Sequence, residues 1–376
     1  MVMRNQAKLN HYRQLTLHQC RTRQAQAYRT PLAILLCVNE RYSRQILFKG
    51  IGEQGQKRLL QSRVLIIGCG ALGSAQAESL ARAGIGNLRI VDRDYVELSN
   101  LHRQTMFTER DALDRLPKSI AAANHVNEIN SDTLAEPVVA DVNRSNVERL
   151  IDGCDVVLDG TDNFSTRYLI NDACVKHEVS WVYGAAVGSY GVSMTIRPHN
   201  TACLRCVFEE APPAATAPTC DTSGVIMPII SMVVAVQVSE TLKLLTGALK
   251  DLHGSLIQFD VWQNEWRRIN PGARREDCRT CSLAIYDSLN SETNEGAAVL
   301  CGRDAIQISP ARPTEINFAS LAARLENIGD VKFNDYLLRF RTGEFEMTVF
   351  QDARSIIRGT AEINTARSLY AKYIGN

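Results

Sequence analysis

Short apolar runs separated by glycines and polar turns dominate the first two thirds of the chain. Residues 64–67 and 88–91 are rich in branched aliphatic side chains without polar alternation, a pattern typical of parallel strands buried on both faces. Similar runs at 136–140 and 155–159 predict two further strands, and a helix is expected over 164–176. This alternation of strands and helices predicts an α/β domain with a mostly parallel sheet and helices on both faces.

A second pattern follows in the middle of the chain. Residues 181–185 and 191–197 are predicted strands, and the latter alternates apolar and polar side chains as a half-exposed antiparallel strand does. The apolar stretch 225–247 predicts one long helix, which suits burial or a subunit interface. Residues 255–270 alternate like a hairpin. We therefore expect an antiparallel extension of the parallel sheet beside a long helix.

The length of 376 residues favours more than one unit. Residues 1–38 lack acidic side chains and are expected to be a poorly ordered extension, although an organellar transit peptide has the same composition. The first domain is placed at 39–282, and the polar segment 283–297 is predicted to be a linker. Residues 298–376 are predicted to be a small α+β module. Its expected elements are strands 305–308, 331–341, 344–350 and 355–358 and helices 318–328 and 362–373.

Charge and cysteine content narrow the class of protein. A net charge of +1 argues against a nucleic-acid partner, because nucleic-acid-binding domains normally carry a marked basic excess. No run of eighteen apolar residues is present, so no membrane partner is expected. Eleven cysteines without a signal peptide indicate a reducing compartment, and the cytoplasm is the expected location.

A glycine motif after the first predicted strand indicates a nucleotide site. Gly68, Gly70 and Gly73 stand where the backbone must turn sharply, approach a phosphate and let a helix pack on its strand. Free N–H groups at the start of that helix would hold an anion. Asp92, at the end of the next strand, can accept hydrogen bonds from a ribose. By themselves these residues fit NAD as well as ATP.

A second carboxylate is expected at the same edge of the sheet. Asp162 follows the predicted strand 155–159, and the carboxyl ends of parallel strands share one rim. Carboxylates hold Mg²⁺ through one or two oxygens beside substrate phosphates. Asp162 is therefore assigned to magnesium.

Two cysteine pairs predict a metal site of a different kind. Cys203 and Cys206 form one Cys-x-x-Cys motif, and Cys278 and Cys281 form another. Four thiolates make a closed tetrahedral zinc site with no open position for water, so the metal would be structural. One such motif alone could be redox active, but two in one chain favour zinc. The distance between the pairs means that the metal would join two loops.

The residues after Asp92 favour a triphosphate over a dinucleotide. Residues 99–104, with Asn100 and Arg103, place an amide and a guanidinium directly beyond the ribose carboxylate. With the motifs above, this stretch resembles the ThiF/MoeB/HesA family, the bacterial relatives of ubiquitin-activating enzymes. The resemblance extends from about residue 41 to 281.

The resemblance implies roles for three more residues. Arg44 would reach into the nucleotide site of a neighbouring subunit, which makes the working unit a homodimer. Lys118 would contact a phosphate, although residues 114–117 lack the glycine that the family usually has before this lysine. Cys220, followed by Gly224, would lie at the position where some members link the cysteine covalently to sulfur or to the carrier and others do without it. A chemical role and a spectator thiol both stay open for Cys220.

The resemblance also implies an activity. The enzyme would be an adenylyltransferase that uses MgATP to adenylylate the C-terminal glycine of a ubiquitin-like sulfur-carrier protein, ThiS-like or MoaD-like. The thiocarboxylate would then serve thiazole (thiamine) or molybdopterin synthesis, with a cysteine desulfurase or a rhodanese as sulfur donor. The catalytic set would be Arg44, Asn100, Arg103, Lys118, Asp162 and Cys220. The alternatives are a related adenylating enzyme acting on a peptide or a tRNA, an NAD-dependent oxidoreductase, and a scaffold without activity.

Overall fold

Two β-sheets organise the chain. The structure is a computed structural model, and its described residues are 40–210, 223–290, 296–300, 305–310 and 314–375. Within this part of the chain, an eight-stranded sheet belongs to the first domain and a six-stranded sheet to the C-terminal module. The α/β fold with a mostly parallel sheet is as predicted.

The larger sheet combines a parallel half with an antiparallel half. Its strands are β1 (Arg63–Ile67), β2 (Asn87–Asp92), β3 (Leu134–Val139), β4 (Val156–Asp159), β5 (Ser180–Val187), β6 (Tyr190–Ile196), β7 (Leu256–Asp260) and β8 (Glu265–Ile269). They are ordered β3-β2-β1-β4-β5-β6-β7-β8. The strands from β3 to β5 run parallel, and β5 to β8 pair antiparallel. The strand β1 is the middle one of the five parallel strands, so the loop after it lies in the middle of their carboxyl rim.

Helices cover both faces of this sheet. They are α1 (Ser43–Ile46), α2 (Gly52–Gln61), α3 (Ala71–Ala83), α4 (Glu109–Leu113), α5 (Lys118–Ile129), α6 (Val147–Ile151), α7 (Phe164–Lys176), α8 (Leu204–Val207), α9 (Met227–Thr246) and α10 (Asp287–Asn290). Alternate residues of β1 enter different cores. Val64 packs with the cluster that includes α3, α5 and α9, whereas Leu65 packs with the cluster that includes α6 and α7. Burial on both faces explains why β1 reads as a continuous apolar run.

The strand β6 departs from the expectation of half exposure. Every residue from Gly191 to Ile196 is buried. The polar positions are buried because they find partners: the Thr195 hydroxyl donates to Glu240 Oε2 of α9 at 2.8 Å, and the Ser193 hydroxyl donates to the Tyr183 carbonyl at 3.0 Å. The prediction of a half-exposed strand was therefore wrong, since the alternation marks two buried faces of different polarity.

The long helix α9 packs on the sheet with only part of its surface. Among the described residues it is the one helix long and apolar enough to cross a membrane, and 39% of its most apolar window is buried. Ile229, Ile230 and Val233 enter the core, whereas Met232 and Val236 stay partly exposed. Burial of one face agrees with the predicted core helix, and the apolar remainder is available to another surface.

The described residues of the C-terminal module form an antiparallel sheet with two helices. Its elements are β9 (Ala297–Leu300), β10 (Ala305–Ile308), α11 (Phe318–Leu325), β11 (Asp330–Phe333), β12 (Leu337–Thr342), β13 (Phe345–Phe350), β14 (Ser355–Arg358) and α12 (Ile363–Tyr373). The strand order is β11-β12-β13-β14-β10-β9. The strand predicted at 331–341 is two strands, because Asn334 Oδ1 accepts the N–H groups of Tyr336 and Leu337 and closes a turn.

The segment expected to be a linker, 283–297, contains regular structure at both ends. The short helix α10 contacts α7, where the Ser288 N–H donates to Asp172 Oδ2 at 2.8 Å, and Arg279 pairs with Asp287 at 2.7 Å. The strand β9 begins at Ala297. Residues 283–290 therefore pack against the first domain, with Tyr286 and Leu289 in contact with its core. Cys301, which the sequence places at the start of the module, lies outside the described residues.

Replacing Gly73 with alanine should destabilise the fold. A Cβ atom at Gly73 would lie 1.8 Å from the Gly68 carbonyl oxygen, so the loop or helix α3 must shift. We expect Gly73→Ala to lower the free energy of unfolding by about 3 kcal/mol, measured by thermal and urea denaturation. Gly70→Ala is the matched control, because the nearest atom to its Cβ is Gln104 Nε2 at 3.9 Å. Equal stability of the two variants would contradict this account of the loop.

Candidate active site

The glycine loop, residues 68–70, lies between β1 and α3 at the carboxyl edge of the parallel strands. Gly68 has a φ of +85°, which side-chain-bearing residues rarely adopt, and its Cβ would lie 2.7 Å from the Gly160 carbonyl oxygen. The loops after β1 and β4 therefore touch through backbone alone. The thirteen-residue helix α3 starts after Gly70 without a side-chain cap, so the N–H groups of its first turn face the rim. This geometry suits an anionic phosphate.

Asp92 supports the glycine loop as well as facing the rim. Its Oδ2 accepts the Cys69 N–H at 2.6 Å, and its Oδ1 accepts the Asp94 N–H at 2.7 Å. Burial raises the pKa of Asp92, and the nearby charge of Lys118 opposes that rise. Each oxygen keeps a second lone pair, so the carboxylate can still accept a ribose hydroxyl.

Lys118 is the first residue of α5 and lies against the strand end that carries Asp92. Its Nζ is 3.2 Å from Asp94 Oδ2, and its backbone N–H donates to the Asp94 carbonyl at 2.9 Å. The side chain is buried. Residues 114–117 lack the glycine that the resemblance leads us to expect before this lysine. Arg115, with a φ of +47°, adopts the left-handed conformation in this segment instead. The unusual loop thus still delivers the lysine to the rim.

The residues of the 99–104 motif include two buried amides. Asn100 and Gln104 are 2% and 3% exposed, and no described donor reaches Asn100 Oδ1 or Gln104 Oε1. Such buried acceptors cost free energy unless a ligand or water satisfies them, which fits a binding site. Arg103 is half-buried and donates to the Ser99 carbonyl at 3.2 Å. Gln104 is the last residue of the 99–104 motif, but sequence analysis did not predict it to be a site residue.

Asp162 is exposed in the loop after β4. The neighbouring Asn163 caps helix α7 by accepting the Thr166 N–H at 2.9 Å, as expected. An exposed carboxylate next to the glycine loop fits the oxygen-rich coordination of Mg²⁺.

Arg93 is a rim residue that sequence reasoning did not identify. Burial lowers the pKa of Arg93, but the carboxylates of Asp141, Asp162, Asp94 and Asp92 outweigh that effect and raise it. The guanidinium contacts Asp141 at 3.2 Å. Its position directly after Asp92, the acid predicted to bind a ribose, is a signal that could have suggested this residue.

Two of the expected site residues are not found among the side chains at this rim. Arg44 is exposed on the short helix α1, and no hydrogen bond or ion pair links it to Asp92, Lys118 or Asp162 within the described part of the chain. A role in trans requires such a separation. Cys220 lies outside the described residues.

The four paired cysteines converge on one point. Their Sγ atoms all lie within 4.8 Å of one another, with Cys203 to Cys278 at 3.6 Å and Cys206 to Cys281 at 3.4 Å. Tetrahedral zinc with bonds of about 2.3 Å separates sulfur atoms by about 3.8 Å, so the set fits zinc. Hydrogen bonding between these thiols lowers the pKa of Cys206 and raises the pKa of Cys203, because a proton shared by the pair stays on Cys203.

Adjacent residues of α7 hold both cysteine loops. Asn171 Oδ1 accepts the N–H of Leu204, between the first two cysteines, at 2.9 Å. Asp172 Oδ1 accepts the hydroxyl of Thr280, between the second two cysteines, at 2.8 Å. Both side chains are completely buried. The helix α7 therefore aligns the two loops independently of the metal.

Comparison with curated proteins gives two informative relatives. Sulfur carrier protein ThiS adenylyltransferase of Bacillus subtilis is 43% identical over 337 residues, which cover 89% of this chain and 99% of the relative. An alignment this long extends beyond residue 297 into the C-terminal module. SAMP-activating enzyme E1 of Haloferax volcanii is 40% identical over 250 residues, which cover 66% of this chain and 91% of the relative.

The fold also matches solved structures. The crystal structure of Escherichia coli MccB with ATP aligns with a TM-score of 0.57 at 20% identity, over 65% of this chain and 75% of that one. At this identity the match supports the fold alone. The ThiF family model matches residues 42–280, which include the glycine loop, Asp162 and three of the four cysteines of the cluster. The resemblance inferred from the sequence is thus confirmed, and the chain belongs to the ThiF family.

Proposed function

We propose that this protein adenylylates the C-terminal glycine of a ubiquitin-like sulfur-carrier protein. One arrangement carries the proposal: the glycine loop lies at the rim between the ribose acceptor Asp92 and the exposed Asp162. Lys118 is buried beside the same rim. A nucleotide on this loop would have its ribose at one carboxylate and its phosphates near the other.

The nature of the relatives supports a ThiS-like carrier over the alternatives. The Bacillus subtilis relative is named for ThiS and corresponds over nearly its whole length. The Culex quinquefasciatus relative named adenylyltransferase and sulfurtransferase MOCS3 is 38% identical, but the alignment covers 55% of it. We therefore place a ThiS-like carrier and thiazole synthesis first, and a MoaD-like carrier and molybdopterin synthesis second.

Adenylylation depends on how the reacting groups are positioned, and no side chain of the protein has to act as the nucleophile. The carrier carboxylate is ionised at neutral pH and attacks the α-phosphorus of ATP, and the bond to pyrophosphate breaks. Asn100, Arg103 and Lys118 would stabilise the charge that moves onto the phosphates, together with Arg44 from the neighbouring subunit. Magnesium at Asp162 would neutralise phosphate charge. The products are an acyl-adenylate and pyrophosphate.

A sulfur-transfer step would follow. The outer sulfur of a persulfide on a cysteine desulfurase or a rhodanese attacks the acyl carbon and AMP leaves, which gives an acyl disulfide. A second thiol then attacks the cysteine sulfur of the donor, so that a disulfide forms and the thiocarboxylate stays on the carrier. Cys220 is a candidate relay for this sulfur, and a spectator thiol is the alternative. Within the described part of the chain, the seven cysteines form no disulfide, which agrees with a cytoplasmic location.

A homodimer is part of the proposal. The partly exposed apolar side chains of α9, among them Met232 and Val236, offer a surface for a second copy. The helix α2 packs against α9, where Arg58 donates to the Thr246 carbonyl at the end of the helix, and α1 with Arg44 packs against α2. Twofold pairing through α9 would carry each Arg44 toward the site of the other subunit.

The direct test is incubation of the purified protein with MgATP and a ThiS-like or a MoaD-like carrier. Intact-mass measurement should show the ThiS-like carrier gaining one adenylyl group, with release of pyrophosphate. Preferred modification of the MoaD-like carrier would move the proposal to the molybdopterin branch. Consumption of NADH with no adenylylation of either carrier would refute it.

Removal of the magnesium carboxylate should abolish turnover without unfolding the chain. Asp162→Ala is expected to reduce the rate of ATP–pyrophosphate exchange by about a hundredfold or more. Because Asp162 is exposed, the melting temperature should change little. Asp152→Ala is the matched control, since Asp152 is exposed near the opposite end of β4 and should keep full activity. Full turnover in Asp162→Ala would remove the metal assignment.

Mixed dimers test whether Arg44 acts in trans. Arg44→Ala and Asp162→Ala should each be inactive or nearly so as homodimers. In a heterodimer of the two, one site contains both changes and the other contains neither. After subunit exchange, exchange activity should therefore recover to about one quarter of the wild-type value. No recovery in mixtures that mass spectrometry shows to contain heterodimers would place Arg44 in its own subunit's site.

The cysteine cluster should contain zinc with a structural role. Metal analysis of pure protein is expected to find about one zinc per chain, and Cys206→Ser should lose it. The melting temperature should fall in that variant, because metal binding contributes directly to folding. Cys154→Ala is the control, since Cys154 is buried outside the cluster and should retain zinc. Wild-type protein purified without metal yet equally stable would contradict this role.

A further inference from the structure

The C-terminal module contacts the first domain at a loop that carries site residues. We name residues 93–117, between β2 and α5, the crossover loop. Its two ends pair with each other, because the Val96 N–H donates to the Leu116 carbonyl at 2.9 Å and the Lys118 N–H donates to the Asp94 carbonyl at 2.9 Å. These pairings form a neck. The part of the loop beyond the neck carries Asn100 and Arg103.

An aromatic side chain of the neck is buried in the module. Tyr95 is 1% exposed and packs with Leu337, Phe350 and Ile356 of the six-stranded sheet. The guanidinium groups of Arg115 and Arg358 lie 5.5 and 5.8 Å from the centre of its ring. Tyr95 therefore contacts cations from both the loop and the module, in geometry that favours cation–π attraction.

Polar contacts from the module reach both ends of the neck. Arg358 forms an ion pair with Glu97. On the other side, Glu346 binds Arg115 at 3.2 Å, and Asn334 Nδ2 donates to the Asp114 carbonyl at 3.1 Å. Arg115 has the unfavourable positive φ noted above, and such a conformation persists where surrounding contacts fix it. The module supplies one of those contacts.

A second line of contacts leads from the module to the rim. Gln307 Nε2 donates to Asp141 Oδ2 at 2.7 Å, and Asp141 Oδ1 accepts from Arg93 at 3.2 Å. Gln307 is 2% exposed, and behind it lies the equally buried Arg354, whose Nη1 is 3.5 Å from Gln307 Oε1. The Arg93 side chain follows the ribose acceptor Asp92 directly. Its orientation therefore depends on a module residue.

We infer that the C-terminal module is a positioning element for ATP: through Glu97, Tyr95, Arg115 and Asp141 it fixes the neck of the crossover loop and Arg93. The module residues responsible do not touch the nucleotide themselves. They determine where Asn100, Arg103 and Lys118 stand when ATP binds. This inference rests on the proposed function only in naming ATP as the nucleotide.

The test is a double-mutant cycle read by ATP affinity in the absence of any carrier. Glu97→Ala, Arg358→Ala and the double variant are titrated with MgATP by calorimetry. Each single variant should weaken binding about threefold to tenfold, and the double should be no weaker than the worse single, because both remove one contact. Arg358→Lys, which keeps the charge, should recover most of the affinity. Gln307→Leu should weaken binding through the second line of contacts.

The ATP titration has a control variant within the module, and the results that would overturn this inference differ from those that would refute the adenylylation proposal. Asp330→Ala removes an ion pair with Arg339 at 3.2 Å inside the module and should leave ATP affinity unchanged. Unchanged affinity in Arg358→Ala and Gln307→Leu, with both folded by circular dichroism, would overturn the inference. So would an equal loss in Asp330→Ala. Wild-type protein that binds ATP but modifies no carrier would refute only the adenylylation proposal.

Discussion

The site depends on the close approach of two backbones at the centre of the rim. A Cβ at Gly160 would lie 2.2 Å from the Gly68 carbonyl oxygen, so glycine at both positions lets the loops after β1 and β4 touch. The sheet order β2-β1-β4 then puts the glycine loop between the strand that carries Asp92 and the loop that carries Asp162. A side chain at either glycine would push the two loops apart and so move Asp162, the proposed magnesium ligand, away from Asp92, the proposed ribose acceptor.

Much of the fold was predictable because its signals are local. The buried strands β1, β2 and β4 read as apolar runs, and the paired cysteines show their spacing directly. The errors concern contacts with distant segments. Burial of β6 depends on Glu240, forty-five positions away from Thr195, and the structure in 283–290 depends on Asp172. Arg93 acquires its surroundings only when Asp141 and Asp162 fold beside it.

The role of the C-terminal module could not be read from its sequence for a similar reason. Arg358, Gln307 and Glu346 are residue types common on any surface, and they become informative only through their partners in the crossover loop. In the proposed arrangement, the nucleotide pocket is assembled from two units of the chain. Groups that face the ligand come from the parallel sheet, whereas the rigidity of one wall is contributed by a second sheet.

The cysteine cluster has a consequence for the long helix α9. Its thiols are 75 positions apart in sequence, and the chain between them includes α9, β7 and β8. A metal that joins the two pairs closes this segment into a ring, which removes many conformations from the unfolded chain. The α9 surface that we propose for dimer formation would therefore lie on a tethered segment. When zinc is scarce, we expect this segment to lose its constraint first. The glycine loop precedes the segment in the chain and would keep its hydrogen bonds.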